Sequence, residues 1–465
     1  MTYQETCDYL YSQMPMFERQ GGSAYKEGLS NTLALDEHFG HPHQSYATIH
    51  VAGTNGKGSV SHSIAALLQE CGYRVGLYTS PHLVDFRERI RVNGHPITED
   101  YVVDFVEQER SFFEPLCPSF FEVATAMAFK YFRDMDVDIA VVEVGLGGRL
   151  DCTNVITPIV SVITNISFDH TQFLGDTLAE IALEKAGIIK QGVPVVIGEA
   201  TSETRPVFEQ KAAENHAPII FAEDNPEVVS ADMLPSGGMH YRTRRMGEFD
   251  GDLGGLYQQK NMNTILTVFY ILAVNGYLAF SETGKDMEKS QYELHEAMRM
   301  VAKKTGLMGR WQIVQDKPTV VCDTGHNVGG WEYLSKQLDM VKCRQLHIVF
   351  GMVNDKDIKG VLNLLPKRAV FYFTKPQSAR ALNEKTIQIL AAGNNLKGTC
   401  YPTVQEAYQA AKKAASADDF IFVGGSSYLV GDFFQNLHLG VFNTPITFFS
   451  AFLSSFSFFF GYFAD

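Results

Sequence analysis

Short runs rich in Val and Ile, each followed by a polar or glycine-containing bend and then by apolar residues at helical spacing, recur through the first half of the chain. Thr48–Val51 runs into a glycine-rich turn, and Ser59–Glu70 then carries Val60, Ile64, Leu67 and Leu68 at the three- and four-residue intervals of a helix. Val75–Thr79 reads as a second strand. Ile139–Val144 and Ile159–Ile163 are continuous apolar runs, the pattern of strands covered on both faces, and Val193–Ile197 and Ile219–Phe221 continue it. Alternation of this kind predicts a mostly parallel sheet wrapped by helices.

Between about 223 and 256 the rhythm breaks. That stretch is polar, rich in Gly and interspersed with Met (PSGGMHYRTRRMGEFDGDLGG), which predicts turns or a small antiparallel excursion. Helices are expected over Asn261–Val274 and Tyr292–Lys304, and Lys303–Gly309 (KKTGLMG) is the candidate linker. A second α/β set follows, with strands at Trp311–Val314, Val320–Cys322, His347–Phe350, Val370–Phe373 and Phe420–Val423 and helices such as Val404–Ala414 between them. The fold class is therefore α/β: a P-loop-type, mostly parallel sheet domain over 1–304, a smaller Rossmann-like α/β domain over 305–440, and a Phe-rich tail over 441–465. A chain of 465 residues is too long for one ordinary core, which agrees with two domains.

Composition narrows the function classes. A net charge of −14 disfavours nucleic acid as a partner, because a phosphate backbone would be repelled. It leaves room for a small anion, since a nest of backbone N–H groups binds phosphate inside an acidic protein. The seven cysteines are dispersed, odd in number and without a CxxC pair, as expected for free thiols in a reducing compartment. No basic segment followed by an apolar run opens the chain, so the expected location is the cytoplasm. Phe433–Ala464 lacks Asp, Glu, Lys and Arg and is crowded with Phe. A membrane anchor is one reading of it; Ser454, Ser455 and Ser457 interrupt the run and no basic cluster flanks it, which favours a surface extension and no stable membrane partner.

The chemistry concentrates at strand ends. In HVAGTNGKGSV, a strand closes at Ala52, Gly53, Thr54, Asn55, Gly56, Lys57, Gly58 and Ser59 turn, and a helix begins. Glycines let backbone N–H groups approach phosphate oxygens, and the helix N-terminus adds positive potential. Lys57 then stands beside the terminal phosphates as a point charge. The loop departs from GxxxxGK[ST]: Val51 replaces the first Gly, and Gly58 separates Lys57 from Ser59. A plain tight turn is the bland reading; the flanking strand and helix favour phosphate. Ser80, Glu143 and His170 follow three further strands, where ligand groups gather in open parallel sheets. Singly, a strand-end Glu pairs with Arg or Lys and a His caps a turn. Together, beside a phosphate loop, they are a candidate set for Mg²⁺, which takes few protein oxygens plus phosphate and water.

HVAGTNGKGSV, YTSPHLVDFRERIRVNG, SFFEVATAMAF, VVEVGLGGRLDCTN, ITNISFDHTQFLGDTLAEIALEKAGIIK and VVCDTGHNVGG follow one another in an order that resembles the folylpolyglutamate synthase/dihydrofolate synthase branch of the Mur ligase superfamily, over roughly residues 25–435. The resemblance implies an ATP-dependent ligase, normally monomeric, that adds L-glutamate to tetrahydrofolate, dihydropteroate or both through an acyl phosphate. It implies ATP binding at Gly53–Ser59, with Asn261, Arg310 and Asp323 as further nucleotide contacts and His326 beside them, where a turn-stabilising role is nearly as good a reading. It assigns Mg²⁺ to Ser80, Glu143 and His170, admits a monovalent cation, and matches Lys185 to a lysine that the family carbamylates; a solvated helix lysine is the plain alternative. Pro81, His82, Phe121 and Glu122 fall in stretches implied to line a pterin site. Asn31 falls at that end too, where many relatives carry Arg. Two rivals remain at this stage: a Mur-type ligase acting on a UDP-sugar peptide, distinguished by its acceptor, and a nucleotide-binding regulator without chemistry, distinguished by a broken metal set.

Overall fold

The computed structural model describes residues 1–16, 28–278 and 285–437. Its largest sheet contains β1 (Ala47–Ala52), β2 (Val75–Tyr78), β3 (Ile90–Val92), β4 (His95–Pro96), β5 (Ile139–Glu143), β6 (Val160–Ile163), β7 (Val195–Ile197) and β8 (Ile219–Phe221), in the order β4-β3-β2-β5-β1-β6-β7-β8. From β2 to β8 the pairing is parallel, with Ala47 opposite Ile139 and Ile49 opposite Val160. β3 and β4 add an antiparallel edge. The continuous apolar strands are buried along nearly their whole length, as runs covered on both faces require.

Because β1 lies between β5 and β6, the loops that leave the C-terminal ends of β1, β2, β5 and β6 open on one edge of the sheet. This is where open parallel sheets place their ligands. The helix Lys57–Glu70 begins there and is buried from Gly58 to Leu68. It packs between the sheet and the helices Gln258–Val274 and Lys285–Met298 in one apolar core that includes Ile64, Leu67, Val141, Leu266 and Phe269. Its small Ser and Ala side chains let the sheet and the neighbouring helices pack close around it.

The polar excursion forms an antiparallel three-stranded sheet, β9 (Val228–Met233), β10 (Met239–Thr243) and β11 (Glu248–Gly251), in the order β11-β10-β9. The expected helix Tyr292–Lys304 is instead two helices, Lys285–Met298 and Val301–Thr305. The break has a tertiary cause: the Asp252 amide donates to Met298 O (3.1 Å), and its carboxylate accepts from the Ala302 amide (2.8 Å). A residue distant in sequence thus supplies the cap of the second helix, a feature local periodicity does not contain.

Six strands form the remaining sheet, β12 (Gln312–Asp316), β13 (Thr319–Asp323), β14 (Leu346–Phe350), β15 (Val370–Phe373), β16 (Lys397–Cys400) and β17 (Phe420–Gly424), in the order β12-β13-β17-β14-β15-β16. Only β12 is antiparallel to its neighbour. β16, KGTC, escapes a hydrophobicity reading because an edge strand with an exposed or half-buried face carries no apolar run. Fully buried Trp331 packs edge-on against Phe350 and Phe422 and anchors the helix Val328–Met340 to this sheet. All seven cysteines are free. Among the described residues no helix is long and apolar enough to cross a membrane, and the expectations for the tail at 441–465 lie outside those residues.

Candidate active site

The turn after β1 is shaped by close approaches that only glycine allows. Gly53 has φ +141°, and a Cβ there would overlap Thr164 Oγ1, which closes the turn by donating to Asn55 O (2.5 Å). Gly56 has φ +84° and caps the helix Lys57–Glu70; its Cβ would strike Asn261 Oδ1. Gly58 is helical, and its missing Cβ leaves room for Arg310, whose Nη2 would lie 3.2 Å from such an atom. The inserted glycine therefore marks where a guanidinium from the second sheet's side reaches the turn after β1. Lys57 Nζ donates to Gly53 O (3.0 Å) and Thr54 O (3.1 Å), so its ammonium sits inside the curve of the turn.

Charges converge on this turn. Glu143, at the end of β5, is buried, and burial pushes its carboxyl up to about 7 although Lys57, Arg310 and the Ser80 backbone N–H each pull the other way. Desolvation likewise lowers the Lys57 ammonium, opposed by Glu143 and Asp169. Lys185, on the helix Leu178–Ala186, is buried; burial first and Lys57 next bring its amine down to about 7. His170 is lowered by burial to about 3, so it presents a neutral imidazole at physiological pH. From the second sheet, Asp323 accepts from Tyr257 Oη (2.6 Å) and from the backbone N–H groups of Trp311 and Gly325 (both 2.8 Å). Arg310 donates to Gly309 O (3.1 Å) and to the Thr324 hydroxyl.

Two cavities open at this edge. One, of about 390 Å³, is lined by Thr54–Ser59, Ser80, Glu143, Asn261, Arg310, Asp323 and His326. The other, of about 230 Å³, is lined by Gly53, Phe121, Glu122, Gly145–Gly147, Asp151, Asp169, His170, Lys185 and Lys356. Thr54, Lys57, Ser80, Pro81, His326 and Ser427 line both. Groups bound in the two cavities would meet at Lys57.

The structure brings together most of the residues singled out from the sequence. All of Gly53–Ser59, Ser80, Pro81, Phe121, Glu122, Glu143, His170, Lys185, Asn261, Arg310, Asp323 and His326 line one cavity or both. Glu143 faces the first and His170 the second, with Ser80 on the shared wall. Among the described residues no three His, Cys, Asp or Glu side chains gather as a metal cluster. His82 is outside both linings and accepts from Arg89 Nε (2.7 Å). Asn31, on the helix Ser30–His38, is outside them as well. Sequence reading missed Asp169, Lys356, Tyr257 and Asn327. Asp169, beside His170 in SFDHT, and Asn327, beside His326 in DTGHN, carried a local signal; Tyr257 and Lys356 are delivered by the fold.

Comparisons with known proteins give matches over most of the chain. Residues 51–236 match the Mur ligase middle domain, and residues 309–427 match the Mur ligase glutamate ligase domain. The chain is 33% identical over 424 residues to the dihydrofolate synthase/folylpolyglutamate synthase of Bacillus subtilis, covering 89% of this chain and 95% of that protein. It is 32% identical over 455 residues to the folylpolyglutamate synthase of Lacticaseibacillus casei, covering 94% and 99%. A probable bifunctional folylpolyglutamate synthase/dihydropteroate synthase of Haloferax volcanii is 31% identical over 452 residues; 93% of this chain is covered, and the chain spans about half of that protein's length. Among solved structures, Mycobacterium tuberculosis folylpolyglutamate synthase complexed with ADP and AMPPCP superposes with a TM-score of 0.80 at 29% identity, over 94% of this chain and 98% of that one. E. coli FolC in complex with DHPP and ADP gives 0.78 at 27%, over the same shares.

Proposed function

We propose that this chain, which belongs to the dihydrofolate synthase/folylpolyglutamate synthase family of Mur ligases, uses ATP to join the amine of L-glutamate to a folate-type carboxylate. The observation that carries the reading is the wall common to the two cavities: Thr54, Lys57, Ser80 and His326 stand where a carboxylate from one and a terminal phosphate from the other would touch.

Amide formation needs a leaving group better than oxide. The carboxylate oxygen attacks the γ-phosphorus and ADP departs, leaving an acyl phosphate. The glutamate amine then attacks the acyl carbon, phosphate leaves, and the amine loses a proton. Charge builds on the transferred phosphoryl group, so the protein's task is positioning and neutralisation. Lys57 and Arg310 supply fixed positive charge, and the N-terminus of the helix Lys57–Glu70 supplies oriented N–H groups. Asn261 and Arg310, packed against Gly56 and Gly58, and Asp323 line the larger cavity and would hold the nucleotide there.

The donor set suits Mg²⁺. A buried Glu143 oxygen beside the Ser80 backbone, with neutral His170 across the shared wall, offers few protein ligands and leaves room for phosphate and water. Mg²⁺ bound there would neutralise the transferring phosphoryl oxygens. An amine near neutrality at Lys185 is the form that adds CO₂ with loss of a proton, and the resulting carbamate would face His170 as an anionic oxygen ligand. Phe121 and Glu122 border the acceptor's cavity. The reading is of a cytoplasmic enzyme acting as a monomer on small molecules.

The test is ADP release with dihydropteroate or tetrahydrofolate as acceptor, each with and without L-glutamate. ADP formation that requires both acceptor and glutamate supports ligation. Full ADP release in the absence of either ends the proposal, and the two acceptors compared side by side assign the substrate.

A further inference from the structure

The carboxylate of Asp169 is where the phosphate-loop side of the molecule meets two loops of the second sheet. Asp169 lies between β6 and the short helix Thr171–Leu174. Its Oδ1 accepts from Lys356 Nζ at 2.5 Å, and its Oδ2 accepts from His326 Nε2 at 3.2 Å and Asn327 Nδ2 at 3.1 Å. The Asp169 and Lys356 side chains are each only 7% exposed. Asn327 also exchanges two hydrogen bonds with Asn55 of the phosphate loop, at 3.0 and 3.1 Å. Asn55 Nδ2 donates in addition to Ser167 Oγ (3.1 Å), and Thr54 is bonded to Ser167 through both its hydroxyl and the Ser167 amide (3.1 Å each).

Two carboxylate oxygens thus serve three donors from one lobe, while the loop that carries them is tied to the phosphate turn of the other. Only an ionised carboxylate can accept at both oxygens from Lys, His and Asn; an amide would offer one oxygen and turn an N–H₂ group towards a donor.

We propose that Asp169 is a positioning residue that registers the second sheet's loops, with Lys356 and His326, over the phosphate turn and so keeps water from the acyl phosphate. The inference rests on the ligase reading above. Asp169 acts through Lys356, His326 and Asn327, not on the reacting atoms.

The experiment measures ADP released per amide bond formed, together with kcat and the KM for ATP, in the full chain, in Asp169→Asn, in Lys356→Gln and in the double variant. The unmodified chain is expected to release one ADP per amide. Asp169→Asn is expected to lose about 10²-fold in kcat, the loss that goes with misplacement of about 1 Å, with little change in KM. Its ADP-to-amide ratio should exceed one as acyl phosphate leaks to water. The double variant should be no worse than the weaker single, since both changes break the same contact. Thermal melting checks folding, and if Asp169→Asn does not fold, Lys356→Gln carries the test from the opposite side. A ratio that stays at one in a folded variant, or losses that multiply in the double, overturns the proposal. Failure of the unmodified chain to couple ADP release to amide formation would instead overturn the ligase reading.

Discussion

Gly58→Ala separates the demands of the helix from those of the site. Gly58 is the second residue of the helix Lys57–Glu70 and has no positive φ, so alanine suits its backbone and gains about 0.5–1 kcal/mol of helix preference. The added Cβ would lie 3.2 Å from Arg310 Nη2 and 3.9 Å from Glu143 Oε2. The second distance is ordinary contact. The first is a few tenths of an ångström too close, and the group that must yield is the end of a flexible side chain, so the fold loses little. The site loses more, because Arg310 is displaced from the mouth of the phosphate turn while Gly309 O and Thr324 still hold it. Misplacement of 1 Å costs roughly 10²-fold in rate, so a third to a half of that shift implies about a five- to tenfold fall in kcat/KM, or about 0.9–1.4 kcal/mol. Steady-state ADP release, paired with a thermal melt, reads both effects. The expected result is an unchanged or slightly raised Tm with activity down about five- to tenfold. Wild-type kcat/KM would refute the placement of Arg310 against the loop, and a Tm lowered by several degrees would refute the argument that the helix tolerates alanine. Gly56→Ala is the control: with φ +84° and Asn261 Oδ1 in the way, it should lose stability as well as activity.

Lys57→Ala should lose at least about 10²–10³-fold in kcat while melting cooperatively, because the ammonium's partners are two carbonyls of its own turn; near-normal turnover would show that the loop does not carry the chemistry. Activity should also fall as pH drops through about 7, for two reasons of the same sign: Glu143, raised to about 7, becomes neutral and loses its hold on a cation, and Lys185, lowered to about 7, becomes charged and cannot add CO₂. A kcat/KM profile at limiting Mg²⁺ that is flat from pH 6 to 8 would contradict this. In CO₂-depleted enzyme near pH 8, added bicarbonate should restore activity to the native chain but not to Lys185→Arg, and equal responses would rule out the carbamate.

Much of the site was legible in the sequence because parallel α/β folds put chemistry at strand ends. Each apolar strand announces itself by composition, and the polar residues that follow it lie on one sheet edge whichever strands are neighbours. Ser80, Glu143 and His170 could therefore be picked out before any order was known. Lys185 was named only through a family resemblance; by its residues it was an ordinary helix lysine, and enclosure beside Lys57 is what brings its amine to about 7.

The local pattern also determined the buried apolar strands, the glycine turn after β1 and the presence of a second α/β set, since periodicity and glycine placement are properties of a few consecutive residues. Tertiary structure alone decided the order β4-β3-β2-β5-β1-β6-β7-β8, the break at Arg299–Met300 made by Asp252, and the meeting of Asp169 with Lys356, 187 residues later. Those outcomes depend on which surfaces become neighbours when separate layers pack. Contacts across such distances in the chain are set by the collective burial of apolar faces, and no short stretch of sequence records them.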